Sequence, residues 1–175
     1  MANILAPAGL RLSDTQTTIA HIDEGFDFLG FRIQRHPKRG TLKRFVYTYP
    51  SKKALASIID KVRTLTRRSS HPSLAALLRR INPALRGWCA YFRHGVSSAT
   101  FGYLAQFSWG RVLDWIGKRH PGITKKALRR RFYPSWKPTD DNVTLFSPNT
   151  VAITRYRHRG NNIATPWAST PAPVS

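Results

Sequence analysis

The spacing of apolar residues divides the chain into a strand-like first part and a helical middle. Between residues 19 and 49, apolar and aromatic residues recur roughly every second position and glycines interrupt them, as in antiparallel strands joined by tight turns. After Pro50 the spacing changes to three and four residues, which is typical of helices that bury one face. The pattern predicts a β-hairpin followed by a helical bundle.

The helical part has recognisable start and stop signals. Ser51 suits an N-cap, and an apolar stripe follows it as far as Leu65. A short helix is predicted over 73–81, with a new helix starting at Asn82-Pro83, because asparagine caps well and proline at the first helical position loses no needed N–H. Gly95 is predicted to end that helix. A longer helix follows from Ser97 or Ser98, and a short basic one covers 124–132.

Charge changes the interpretation of these helices. The chain has 29 lysines and arginines against 8 acidic residues, a net charge of +21. Residues 51–137 hold 19 of these cations and two acids. A field of this sign predicts binding to a polyanion, which composition leaves open among RNA, DNA and an acidic membrane surface. No run of 18 apolar residues predicts a membrane span.

Two groups of side chains are candidates for that binding. The first comprises the basic residues on and between the predicted helices: Lys52, Lys53, Lys61, Arg63, Arg67, Arg68, Arg86, Arg93, Lys125, Lys126, Arg129, Arg130 and Arg131. The second comprises aromatic rings that could stack on bases: Tyr91, Tyr133 and Trp136. For Trp88, Trp109 and Trp115, packing in the core is the favoured alternative, and Tyr91 fits either role.

Residues suited to catalysis are sparse. Between Phe28 and Thr139 the acids are Asp60 and Asp114, each on a basic amphipathic helix, so no carboxylate cluster for a metal is expected. Asp140-Asp141 is predicted to lie in a turn. The histidines and Cys89 lack metal-ligand spacing, and Cys89 falls on an apolar stripe. The sequence therefore predicts no catalytic residue, no metal and no cofactor.

Several strings together resemble one family. FDFLGFRIQR (26–35), INPALRGWCAYFRHGVSSATFGYLAQFSW (81–109), RHPGITKKALRRRF (119–132) and the later RYRHRG with PW are similar to the C-terminal part of bacterial group II intron-encoded reverse transcriptase/maturases. The resemblance covers residues 10–167. It implies the end of the palm over 1–50, the thumb (domain X, three main helices) over 51–147, and a basic, partly flexible tail over 148–175.

The expected fold class is thus α+β, mainly α, with a β-hairpin remnant of the palm before the thumb bundle. The resemblance implies binding to group II intron RNA, assistance to splicing and folding, and contact with a template–primer duplex. The catalytic Tyr-x-Asp-Asp motif of the family is absent from this sequence, so no polymerase activity is expected of this chain alone.

Other interpretations stay open at this point. The chain fits the C-terminal subunit of a split reverse transcriptase that needs a separate fingers–palm chain, a truncated remnant without function, or a non-specific basic binder of DNA or membranes. The resemblance favours a bacterial, cytoplasmic, nucleoid-associated protein without a membrane partner.

Overall fold

A computed structural model describes residues 20–37, 40, 42–67 and 71–154. The chain begins with three strands, β1 (Phe26–Phe28), β2 (Phe31–Pro37) and β3 (Arg44–Pro50), and continues into four helices. These are α1 (Lys52–Arg67), α2 (Leu74–Phe92), α3 (Ser98–Arg119) and α4 (Lys125–Phe132). A turn of 3₁₀ helix (Pro134–Trp136), the strands β4 (Thr139–Asp140) and β5 (Val143–Thr144), and a second 3₁₀ turn (Pro148–Thr150) follow.

The three strands form an antiparallel meander in the order β1-β2-β3. Phe28 pairs with Phe31, so the connection between β1 and β2 is the two-residue turn Leu29-Gly30. Both turn residues have positive φ, 47° at Leu29 and 80° at Gly30, as the right-handed twist of a hairpin requires. A Cβ at Gly30 would also lie 3.3 Å from the Phe92 ring, which joins the turn to the helices. The predicted hairpin is therefore a three-stranded sheet.

Helix α2 contradicts the predicted break at Asn82-Pro83. It runs without interruption through both residues, with Pro83 on the exposed side. Proline inside a helix costs about 3 kcal/mol, because it removes one backbone hydrogen bond. Ile81 and Leu85 on either side are fully buried, and each contributes about 1.5–3 kcal/mol by burial. Packing of the flanking residues therefore outweighs the local preference for a helix end.

Asn82 has a structural task other than capping. Its side-chain amide donates to the carbonyl of Thr144 at 2.8 Å and accepts from the backbone N–H of Phe146 at 2.8 Å. The segment it holds, residues 138–146, is called the C-terminal clip below. Asp140 in this clip accepts from the N–H of Ala75 at 2.9 Å, at the start of α2. Hydrogen bonds at Ala75 and Asn82, and the ion pair of Arg79 with Asp141, thus fasten the clip along α2.

Gly95 also has a different role from the predicted one. Helix α2 ends at Phe92, and Gly95 does not have the positive φ of a helix-ending glycine. A Cβ at Gly95 would lie 2.8 Å from the carbonyl oxygen of Thr48, whereas the next residue, Val96, donates to that same oxygen at 2.7 Å. Glycine is required because the sheet and the α2–α3 connection approach each other here.

One hydrophobic core joins the four helices. Helices α1, α2 and α3 contribute the fully buried Val62, Leu77 and Leu104, and α4 contributes Leu128 and Phe132. The clip and the residues after it add partly buried side chains: Val143, Leu145, Phe146, Val151 and Ile153. The α+β, mainly α fold class with three long helices is confirmed. No described helix is long and apolar enough to cross a membrane.

Cys89 lies in this core with no exposed surface, and burial raises the pKa of its thiol to about 12. Since the thiolate is the reactive species, we expect iodoacetamide at pH 8 to leave the native protein unlabelled. Labelling should begin only as urea unfolds the chain, and mass spectrometry measures it. Rapid labelling of native protein would contradict the buried position.

Candidate nucleic-acid interface

The basic residues of α1 share one side of that helix. At about 100° per residue, Lys52, Lys53, Arg63 and Arg67 fall within roughly 100° of its circumference, and each lies about 80–180° away from Val62 in the buried stripe. Lys61 lies beside this group. These five exposed cations are called the first basic patch below. Arg68, the sixth candidate of this row, lies outside the described residues.

Two side-chain contacts join the C-terminal half of α1, which carries part of the first basic patch, to α3. Arg63 pairs with Asp60 at 2.9 Å and lies 5.5 Å from the centre of the Phe107 ring. Arg111, on the next turn of α3, donates from Nε to the Thr66 hydroxyl at 3.1 Å. Arg111 was not among the predicted site residues. It is the only basic residue of α3 before Lys118, and only the packing of α3 on α1 brings it to this patch.

Helix α4 carries the most concentrated charge. Thr124 caps it by accepting from the N–H of Ala127 at 3.4 Å, so the predicted helix is confirmed. Leu128 and Phe132 turn inward, which leaves the five cations exposed around the rest of the helix. They are called the second basic patch below: Lys125, Lys126, Arg129, Arg130 and Arg131.

Two of these five cations contact rings and three do not. Arg131 lies 5.0 Å from the centre of the Phe132 ring, and Arg129 lies 4.2 Å from that of Trp136. Within the described chain, Lys125, Lys126 and Arg130 have no ion-pair partner. Their charges are therefore available to an external anion.

The two patches are on opposite flanks of α3. Phe107 contacts Arg63 of the first patch and Arg111 contacts Thr66 beside that patch, whereas Trp109 contacts Trp136 beside the second. Residues 107 and 109 are two positions apart, which places them about 160° apart around the helix. The structure therefore presents two separate basic surfaces, with the buried stripe of α3 between them.

The two remaining arginine candidates contact neither patch. Arg86 lies over the ring of Phe146 in the C-terminal clip, 5.4 Å from its centre. Arg93 is partly buried at the end of α2, where its carbonyl accepts from the N–H of Thr154 at 3.1 Å. Its Nε is buried without a hydrogen-bond acceptor among the described residues. Arg86 is accessible to a ligand from the side of the clip, and Arg93 much less so.

The aromatic candidates have different environments. The hydroxyl of Tyr91 donates to the carbonyl of Leu29 at 2.7 Å and its ring stacks on Phe31 at 5.5 Å, so it anchors the sheet. Tyr133 is partly buried against the core. Trp136 keeps 54% of its surface exposed. Among the three tryptophans expected in the core, Trp115 is buried, Trp88 packs against the core, and Trp109 is only partly covered.

Only part of the acidic pair at 140–141 lies in a turn as predicted: Asp140 ends strand β4, and Asp141 begins the turn that follows. Asp140 binds the start of α2, and Asp141 pairs with Arg79, so both carboxylates have structural partners. Asp141 and Asn142 form the turn between β4 and β5, with φ of 47° and 58°. Across the described ranges, no group of three or more histidine, cysteine or acidic side chains is placed to hold a metal ion.

Comparison with known proteins gives one family match. Residues 55–133 match the group II intron, maturase-specific domain. The comparison with curated proteins finds no match. The matched segment holds most of the first patch, the whole second patch and nearly all of the four-helix core. Residues 55–133, somewhat less than half of the chain, are therefore similar to the group II intron, maturase-specific domain.

Proposed function

We propose that the chain is an RNA-binding maturase module that binds group II intron RNA and assists its folding and splicing. One observation carries the proposal: the segment that matches the family holds the whole second basic patch and most of the first. Exposed cations without internal partners lose little when a phosphate binds them, and they release counterions from the nucleic acid.

The separation of the patches favours a folded RNA as the ligand. Two basic surfaces on opposite flanks of α3 reach backbone segments that a folded RNA brings near each other. Arginine-rich surfaces suit this role because the guanidinium group binds phosphate through two parallel hydrogen bonds. A module that binds two such segments at once stabilises the fold that places them together, which is the action of a splicing cofactor.

Binding and splicing assays of the full chain test the proposal. We expect it to bind a folded group II intron more tightly than a structured RNA of equal length, and to accelerate splicing when Mg²⁺ is too scarce for efficient self-splicing. The intron with a scrambled domain of equal composition is the matched control. Equal affinity for intron, unrelated RNA and duplex DNA, without any effect on splicing, would leave only a non-specific basic protein.

A second candidate function is suggested by the sheet. Phe26, Phe28 and Leu29 on β1 and its turn are exposed, Phe28 by 59% and Leu29 by 69%. Val46 of β3 is exposed on the same face of the sheet as Phe26 and Phe28, and Phe45 is exposed on the other face. Exposed apolar clusters on a sheet commonly mark a surface for another protein. The partner proposed here is a fingers–palm reverse-transcriptase chain, which would supply the polymerase site and the template–primer duplex.

Mixing the two chains tests this second function. Primer extension by a fingers–palm chain of the same family should rise when the present chain is added, and Phe28→Ser should remove the gain without weakening binding to intron RNA. No gain over the palm chain alone excludes this function and leaves the first intact. The bacterial origin and the placement near the nucleoid remain predictions.

A further inference from the structure

The turn after α4 holds Trp136 in an unusual position. Ser135 and Trp136 have φ of 55° and 60°, so two consecutive residues with side chains adopt the left-handed conformation. Each such residue costs about 1–2 kcal/mol, and a bulky residue there is a true outlier. In a core this cost is offset by burial, but Trp136 remains 54% exposed. Packing alone does not account for the conformation.

Hydrogen bonds fix this turn. The N–H of Trp136 donates to the carbonyl of Tyr133 at 3.1 Å, and its own carbonyl accepts from Nε1 of Trp109 at 2.9 Å. The following N–H, of Lys137, donates to Pro134 at 3.3 Å. The indole of Trp136 is therefore presented from a rigid backbone, which lowers the entropy cost of stacking a ligand on it.

Charges and rings around the indole define what fits there. The guanidinium of Arg129 lies 4.2 Å from the ring centre, a cation–π contact. The Trp109 ring is 6.3 Å away and inclined by 42°, which is too far and too tilted for a parallel stack. The exposed part of the indole is thus an apolar surface next to the second basic patch.

We propose that Trp136 and Arg129 form a stacking site for an unpaired nucleobase of RNA, with Lys125, Lys126 and Arg130 binding the adjacent phosphates. This rests on the proposed RNA binding and specifies the substrate of the second patch. A flat apolar ring beside phosphate-binding cations matches an unstacked base and its backbone. A duplex does not fit, because its neighbouring base pairs cover every base face except at the ends.

Binding of two fluorescein-labelled RNAs to the full chain tests the site: a single-stranded octamer, and a duplex of the same sequence whose two ends are closed by linkers that contain no bases. Trp136→Ala should weaken binding of the octamer by roughly five- to a hundredfold, the range for loss of one stacked base. Binding of the closed duplex should not change. Trp136→Phe keeps an aromatic face and should retain most of the affinity for the octamer.

Two controls make the result specific. Tyr103 is an aromatic residue of similar exposure, 51%, and it stacks on Phe107, on a different side of α3 from Trp109. Tyr103→Ala should leave the affinities for both RNAs unchanged. An octamer with abasic sites should bind wild type and Trp136→Ala equally. A Trp136→Ala variant that binds like wild type, or that loses octamer and duplex equally, overturns the proposal. If the wild type binds neither RNA, the proposed function itself fails.

Discussion

Replacing Lys125, Lys126 and Arg130 together by glutamine should flatten the salt dependence of RNA binding. These side chains are exposed and make no ion pair with any residue that the structure describes, so we expect their replacement to leave the fold intact. Each phosphate contact contributes about 0.7–0.9 to the slope of log affinity against log salt concentration. We expect the slope to fall by about 2–3, and the affinity at ~0.1 M salt to fall by at least a hundredfold.

A matched variant separates this effect from net charge alone. Lys43, Arg80 and Lys118 are also exposed, make no ion pair within the described chain and lie outside the two basic patches. Their joint replacement by glutamine removes the same charge and should change the slope by less than half as much. Filter binding between 50 and 300 mM KCl measures both variants. Equal slopes for the two would show that the second basic patch has no special role.

Asn82→Ala should destabilise the protein by about 2–3 kcal/mol. Its amide is almost fully buried and serves the carbonyl of Thr144 and the N–H of Phe146. Truncation leaves both backbone groups without this partner. Each group that water does not reach then costs about 1–3 kcal/mol of stability. Urea unfolding followed by circular dichroism measures the change in the free energy of unfolding. An m value equal to that of the wild type would show that the variant exposes the same surface area on unfolding.

The exposed Asn149 gives the control for Asn82. It lies in the 3₁₀ turn after the clip. Asn149→Ala should change the free energy of unfolding by less than about 0.5 kcal/mol. Asn82→Asp should be no better than Asn82→Ala, since a carboxylate would face the Thr144 carbonyl. An Asn82→Ala variant as stable as Asn149→Ala would mean that the clip contributes little to the fold.

The elements of the fold were predictable where local pattern and tertiary packing agree. The stripe from Leu55 to Leu65 gave α1, and Thr124 gave the start of α4. The prediction failed at Asn82-Pro83 and Gly95, where local rules indicate helix ends. The true partners of these residues are more than 40 positions away: Thr144 and Phe146 for Asn82, and Thr48 for Gly95. Spacing along the chain does not report such partners.

The candidate site was predicted in its composition but not in its arrangement. The charge of 125–131 and the exposure expected of Trp136 follow from the sequence. The placement of the two patches on different flanks of α3 does not, because it depends on how α1 and α4 pack against that helix. Arg111 was missed for the same reason, and Tyr91 proved to bind the Leu29 turn through its hydroxyl.

The C-terminal clip has a consequence for how the chain folds. Its contacts with α2 join residues 62 to 65 positions apart, so closing that loop costs about 4 kcal/mol of chain entropy before any contact forms. Helices with local contacts form first, and we expect the clip to dock late and to open early in hydrogen exchange. Trp136 precedes the clip by two residues. A base held on that ring would therefore slow amide exchange along 138–146. RNA binding would then stabilise the docked clip, so that the protein and the RNA would each stabilise the folded state of the other.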